Sequence, residues 1–214
     1  LRLEIDEKIK IGNKATADNY ICKISDISKE CIKCEILEKI NSITESNVEI
    51  TVFQGLPKAD KMELIVQKAV ELGVYEIIPV STKRAVVKLD EKKAKSKISR
   101  WQTIAEAAAK QSKRRIVPQI HNVMSFKEAV QYAKDMDIKC IPYELAEGME
   151  TTREFIAGIK PGQNIAIFIG PEGGFEASEI GTALENGITP ITLGKRILRT
   201  ETAGFTVLSW IMYQ

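Results

Sequence analysis

Three loops in the C-terminal half hold the residues best suited to chemistry. Gly170-Pro171-Glu172-Gly173-Gly174-Phe175 follows the apolar run Ile165 to Ile169, Gly194-Lys195-Arg196-Ile197-Leu198-Arg199 follows Leu193, and Tyr143-Glu144-Leu145 follows Pro142. Without Cβ atoms, Gly173 and Gly174 can take positive φ and let backbone N–H groups close on a ligand. Their loop leads into an expected helix, whose N-terminus favours anions and acceptor groups. It fits neither the GxxxxGKS/T nor the GxGxxG pattern, so a Walker phosphate loop or a dinucleotide fingerprint is not supported. A tight strand-to-helix turn holding no ligand is the plain alternative.

Other chemistries find less support. There is no GxSxG nucleophile elbow, and the single His121, in Gln119-Ile120-His121-Asn122, reads as a surface or core histidine. Cys31 and Cys34 lie in an alternating segment, where residues three apart point to opposite faces and cannot share a metal. With one histidine in the chain a tetrahedral zinc site is hard to assemble, so no metal is expected. Cys22, Cys31, Cys34 and Cys140 read as small buried hydrophobes.

The elements that must position these loops follow from periodicity. Residues 1–47 read as a small β module with strands Asn19 to Ser25 and Glu30 to Leu37, and with Gly12-Asn13 and Asp26 to Lys29 as turns. Residues 48–214 read as a second domain. Its strands are Val48 to Phe53, Glu76 to Val80, Ile138 to Pro142, Asn164 to Ile169 and Thr189 to Leu193. Its helices are Lys58 to Leu72, Glu91 to Gln111, Phe126 to Asp135, Thr152 to Ala157, Ala177 to Asn186, and Thr200 onward. In the first of these, Met62, Ile65, Val66, Ala69 and Val70 form one apolar stripe, and Gly73 stops the helix. Strands alternating with helices predict a parallel α/β sheet covered on both faces. Ligands bind beyond the carboxyl ends of strands in such sheets, so three loops on that rim make a pocket.

Charge is segregated along the chain. Lys83 to Arg115 contains 12 Lys and Arg against Asp90, Glu91 and Glu106, a local balance of +9, while the whole chain carries only +2. A polyanion-binding surface requires such segregation; a solvated helix face is the alternative. No apolar stretch is long enough for a membrane span, and Leu1 to Lys10 lacks a secretory signal's apolar core. The chain opens on Leu1 rather than Met, so residues are expected to precede it. A cytoplasmic protein is expected.

At the loops the sequence resembles a known family. Gly170 to Phe175, followed by Leu193-Gly194-Lys195-Arg196-Ile197-Leu198-Arg199-Thr200-Glu201-Thr202-Ala203, is similar to the RsmE family of 16S ribosomal RNA uridine-N3 methyltransferases, of the SPOUT class. Lys68-Ala69-Val70-Glu71-Leu72-Gly73, Arg100-Trp101, Glu106-Ala107-Ala108 and Gln111-Ser112 with Arg114 extend the resemblance over nearly the whole chain. It implies a trefoil knot in the C-terminal domain, a rare exception to unknotted folding, with S-adenosyl-L-methionine as the bound donor. It also implies a homodimer, a PUA-like N-terminal β-barrel that binds RNA, and the small ribosomal subunit as partner. Carried over by position, the donor pocket is Glu144, Leu145, Ile169, Gly170, Pro171, Glu172, Gly173, Gly174, Leu193, Gly194, Ile197, Leu198, Arg199, Thr200, Thr202 and Ala203. The RNA-binding residues are Arg2, Arg84, Arg100, Gln111 and Arg114. The family has a further basic N-terminal strand before the segment matching Leu1-Arg2, which leaves part of the RNA surface unassigned here.

Methylation at N3 of uracil requires the N3 proton to leave or the uracil anion to be stabilised. Arg199 is the candidate for electrostatic help and Glu172 for proton handling, with a rival role for Glu172 in holding its own glycine loop. Another SPOUT chemistry, ribose 2′-O or transfer-RNA base methylation, and a non-catalytic ribosome-assembly factor are the competing functions.

Overall fold

The computed structural model describes residues 3–13, 18–40, 44–146 and 148–213. They form two compact units: one runs to Glu45 and includes Lys113–Ile116, the other holds Ser46–Ser112 and the chain from Val117 onward.

In the first unit, β1 (Lys8–Asn13), β2 (Asp18–Ile27) and β3 (Ile32–Ile40) make an antiparallel sheet in that order. Cys22 and Ile24, two residues apart on β2, are buried on one face, as strand alternation requires. Register shifts at Ile21/Cys22 and Ile24/Asp26 mark bulges against β3, which sharpen strand twist. Gly12 and Asn13 do not turn, as their types suggested. They end β1, opposite Asn19 and Asp18. Lys113–Ile116 is tied in by Glu45, which accepts from Arg115 N–H at 2.6 Å and from the Arg114 guanidinium at 2.8 Å.

The second unit carries a parallel sheet with helices on both faces. Its elements are β4 (Glu49–Gly55), α1 (Lys61–Glu71), β5 (Glu76–Ser81), α2 (Glu91–Gln111), β6 (Gln119–Ile120), β7 (Met124–Ser125), α3 (Phe126–Tyr132), β8 (Ile138–Pro142), α4 (Met149–Ala157), β9 (Asn164–Ile169), α5 (Ala177–Glu185), β10 (Thr189–Ile191) and α6 (Thr200–Met212). The order is β10-β8-β9-β4-β5-β6, with β7 also beside β5, and every pairing is parallel.

The unbroken apolar run of β9 reflects burial on both faces. Ile165, Ile167 and Ile169 enter a core shared with α1, α2 and α6, whereas Ala166 and Phe168 enter a second core with α3 and α5. Phe53 lies opposite Phe168 in register, and the rings stack at 4.4 Å. The α1 stripe from Met62 to Val70 is buried as its spacing predicts, each large aliphatic contributing about 1.5–3 kcal/mol. Gly73, at φ +89°, follows the end of that helix.

Several boundaries differ from the periodicity reading; α1 begins at Lys61 rather than Lys58, and β3 runs on to Ile40. β10 stops at Ile191, whose carbonyl still accepts from the Tyr143 N–H, because the next ladder donor, the Thr192 N–H, goes to Thr152 Oγ1 instead, at 3.1 Å. α4 starts earlier, at Met149. α3 gives way after Tyr132 to a 3₁₀ turn, Ala133–Asp135. The two-residue strands β6 and β7 are too short to show alternation. Among the described residues no helix is long and apolar enough to cross a membrane.

Candidate functional site

A cavity of about 770 Å³ opens where β8, β9 and β10 end, a size typical of small-molecule sites. All three expected loops line it. Every residue expected at the donor pocket contributes except Leu145, which is 71% exposed, and Thr202, exposed on the first turn of α6. Lys61, Ala146, Gly148, Met149 and Thr192 complete the wall without having been singled out in the sequence. Lys61, Arg84, Lys195, Arg196 and Arg199 face it against the carboxylates Glu144 and Glu172, so the lining is cationic overall.

The two loop glycines serve different ends. Gly174 sits at φ +65°, a conformation that L side chains rarely adopt. Gly173 has no such φ; a Cβ there would stand 3.2 Å from Arg84 Cβ, so its smallness admits the neighbouring loop. Arg84 donates to the Gly173 carbonyl at 3.1 Å, and Lys83 N–H donates to buried Glu179 at 2.9 Å. Glu179 also accepts from the Glu176 N–H, at 2.9 Å. The N-terminus of α5 is thus closed by a capping box between Glu176 and Glu179, which also ties it to the Lys83 loop.

Glu172 is likewise engaged. Both its oxygens accept from the Lys58 N–H, at 3.1 and 3.2 Å, and Lys61 Nζ lies 2.9 Å from Oε1. Burial works against its ionisation, but the Lys61 ammonium and the backbone donors outweigh it and hold the carboxyl below its ordinary value. Deeper in, Gln54 donates to the Thr200 hydroxyl at 2.9 Å, and that hydroxyl donates to the Gly170 carbonyl at 2.5 Å. Thr152 secures the chain leading into the Gly194 loop, donating to the Thr192 carbonyl and accepting from its N–H. The loops are therefore cross-braced around the cavity.

A family model for an RNA methyltransferase domain matches residues 44–212. The ribosomal RNA small subunit methyltransferase E of Bacillus subtilis is 39% identical over 196 residues, which cover 90% of this chain and 77% of that one. The chain belongs to the ribosomal RNA small subunit methyltransferase E family. The member from Mesomycoplasma hyopneumoniae is 38% identical, over 90% of this chain and 84% of its own. A crystal structure of the Neisseria gonorrhoeae member, bound to S-adenosyl methionine, superposes with a TM-score of 0.80 at 31% identity, covering 97% of this chain and 83% of that one.

Residues expected at RNA in this family member are scattered. Arg84 borders the cavity. Arg100, exposed on α2, pairs with Glu63 at 2.8 Å, and exposed Gln111 borders a shallow groove between α1 and α2. Arg114 differs most from expectation: its side chain is 4% exposed, in the ion pair with Glu45. Arg2 lies outside the described residues.

The remaining candidates are structural. Cys22 and Cys140 are buried, and burial pushes the Cys140 thiol up to about 12, which leaves it inert. Cys31 is exposed rather than buried, because it sits in the turn before β3. Among the described residues no cluster of His, Cys, Asp and Glu could hold a metal ion. His121 Nε2 meets Glu76 at 2.7 Å, and Glu76 also accepts from Thr51 and Tyr132.

Proposed function

We propose that this chain methylates N3 of a uridine in 16S ribosomal RNA of the small subunit, taking the methyl group from S-adenosyl-L-methionine. The observation that carries the reading is the single cavity wall built jointly by Ile169 to Phe175 and Leu193 to Ala203. Those are the two segments whose pairing marks the family. The residues fit such a donor: the cavity is large enough, Gly173 admits the Arg84 loop against its wall, and Gly174 supplies the positive φ that the loop needs. Glu144, Ile169 to Gly174, and Leu193 with Ile197 to Ala203 would hold it.

The donor supplies an electrophilic methyl group, and the chain supplies alignment and charge. Arg199, exposed at the cavity mouth before α6, can stabilise the anion of a uracil that has lost its N3 proton. Glu172 is a poor proton acceptor, with donors on both oxygens and a lowered pKa. Its place in this reading is to hold the glycine loop.

The finer architecture belongs to the same reading. From β10, at one edge of the sheet, the chain returns to the middle, where α6 packs on β9 and α1; this supports the trefoil knot. The three antiparallel strands of the first unit support part of a PUA-like RNA-binding barrel. Exposed Leu145 and Ile197 beside the cavity support a homodimer that covers them. A ribosomal substrate supports a cytoplasmic location. The test is methyl transfer from labelled S-adenosyl-L-methionine to unmodified ribosomal RNA and to small subunits, with the labelled nucleoside identified. Label in 3-methyluridine is expected; label in a 2′-O-methyl nucleoside or a guanine would overturn the assignment.

A further inference from the structure

The end of β4 carries no recognised motif, yet it lies directly against the glycine loop. A Cβ on Gly55 would stand 2.6 Å from Pro171 Cδ and 2.8 Å from Pro171 N. The residue before it, Gln54, is fully buried. Its amide nitrogen donates to the Gly55 carbonyl and to Thr200 Oγ1, both at 2.9 Å. A carbonyl can only accept, so the amide nitrogen must face Gly55, and this sets the side chain's orientation. Thr200 Oγ1, having accepted that N–H, directs its own proton to the Gly170 carbonyl.

This arrangement is not the one a core chosen for stability would hold. Gln54 Oε1 is buried without a hydrogen-bond partner among the described residues. A buried acceptor left so is destabilising, and a Met or Leu at this place would avoid it. Local rules are broken in this way where function requires it.

We infer that Gln54 is a positioning residue of the donor pocket. Its amide sets the direction of the Thr200 hydroxyl, and the pair holds the loop after β9 and the start of α6 at one separation. The inference rests on the donor reading given above. Gln54 does not line the cavity, so its effect on binding must pass through Thr200 and Gly170.

The test is a double-mutant cycle on the full chain, with Gln54→Met, Thr200→Val and the double variant. S-adenosyl-L-methionine and S-adenosylhomocysteine binding are measured by calorimetry, and the urea midpoint without ligand is measured alongside. Each single variant is expected to weaken donor binding about tenfold, the size of one hydrogen bond in a closed site. The double variant is expected to be no weaker than the worse single, because both break one relay. Gln54→Met removes an unpaired acceptor together with two donated bonds, so the urea midpoint is expected to move little. Unchanged donor affinity in Gln54→Met, or losses that multiply in the double variant, would overturn the inference. So would a loss of affinity that simply tracks a fall in the urea midpoint. If the unaltered chain binds no donor, the donor reading itself fails.

Discussion

Lys61 Nζ lies 2.9 Å from Glu172 Oε1, so the helix after β4 grips the glycine loop after β9. The same ammonium lies 3.7 Å from Glu201, in the first turn of α6. One cation thus touches both segments that mark the family. Glu172→Gln distinguishes its two candidate roles. An amide oxygen can still accept from the Lys58 N–H, so a clamp survives in part, whereas a proton acceptor is lost altogether. We expect kcat to fall less than about tenfold, the size of one weakened hydrogen bond, with donor KM rising by a similar factor. A loss of a thousandfold in kcat with donor KM unchanged would return Glu172 to the chemical step.

The same contacts make the loop sensitive to acid. The folded-state pKa of Glu172 is lowered, so its contribution to stability is complete above the unfolded value, about 4.3, and is lost as pH falls through the folded value. Thermal unfolding followed from pH 6 down to about pH 3 should show a steeper decline in the unaltered chain than in Glu172→Gln. Parallel curves would mean that Lys61 and Lys58 do not bias the carboxylate.

Arg199 stands apart from these braces: it is exposed, lines the cavity, and precedes α6 without capping it through its side chain. Removal of one preorganised group that stabilises developing charge costs about 10²–10³ in kcat. Arg199→Ala should therefore cut turnover far more than donor affinity. Single-turnover rates and calorimetry measure the two separately. Equal losses in both would make Arg199 a binding residue only.

Much of this arrangement is legible in the sequence because it is periodic. The α1 stripe, the run Ile165 to Ile169 and the paired loops announce themselves through spacing that neighbouring residues share. Lys61 and Gln54 do not. Each meets its partner far along the chain, Lys61 at Glu172 and Gln54 at Thr200, and no local pattern encodes a contact of that reach. The two-residue strands β6 and β7 fail for the opposite reason, being shorter than one period of alternation. Arg114 misleads through composition. It sits in a basic stretch that reads as a solvated or RNA-facing surface, and the carboxylate that buries it comes from Glu45, far earlier in the chain.

That burial separates Arg114 from the other basic residues in a measurable way. RNA affinity should fall steeply as salt rises, because Lys and Arg that neutralise phosphates release counterions, and a flat response would count against the basic stretch as the footprint. Alanine at exposed Lys95 or half-buried Lys97 on α2 should make that salt slope shallower by about one unit for each phosphate no longer neutralised. Arg114→Ala should leave the slope as it is. It should instead destabilise the first unit by about 3–5 kcal/mol, because Glu45 is left buried without its guanidinium. Glu45→Ala should do the same, through the loss of the carboxylate that holds the Arg114 guanidinium and of the acceptor for two backbone N–H groups. Urea unfolding gives the stability, and filter binding across a salt series gives the slope. A shallower slope in Arg114→Ala with unchanged stability would show that the guanidinium leaves Glu45 for a phosphate when RNA binds.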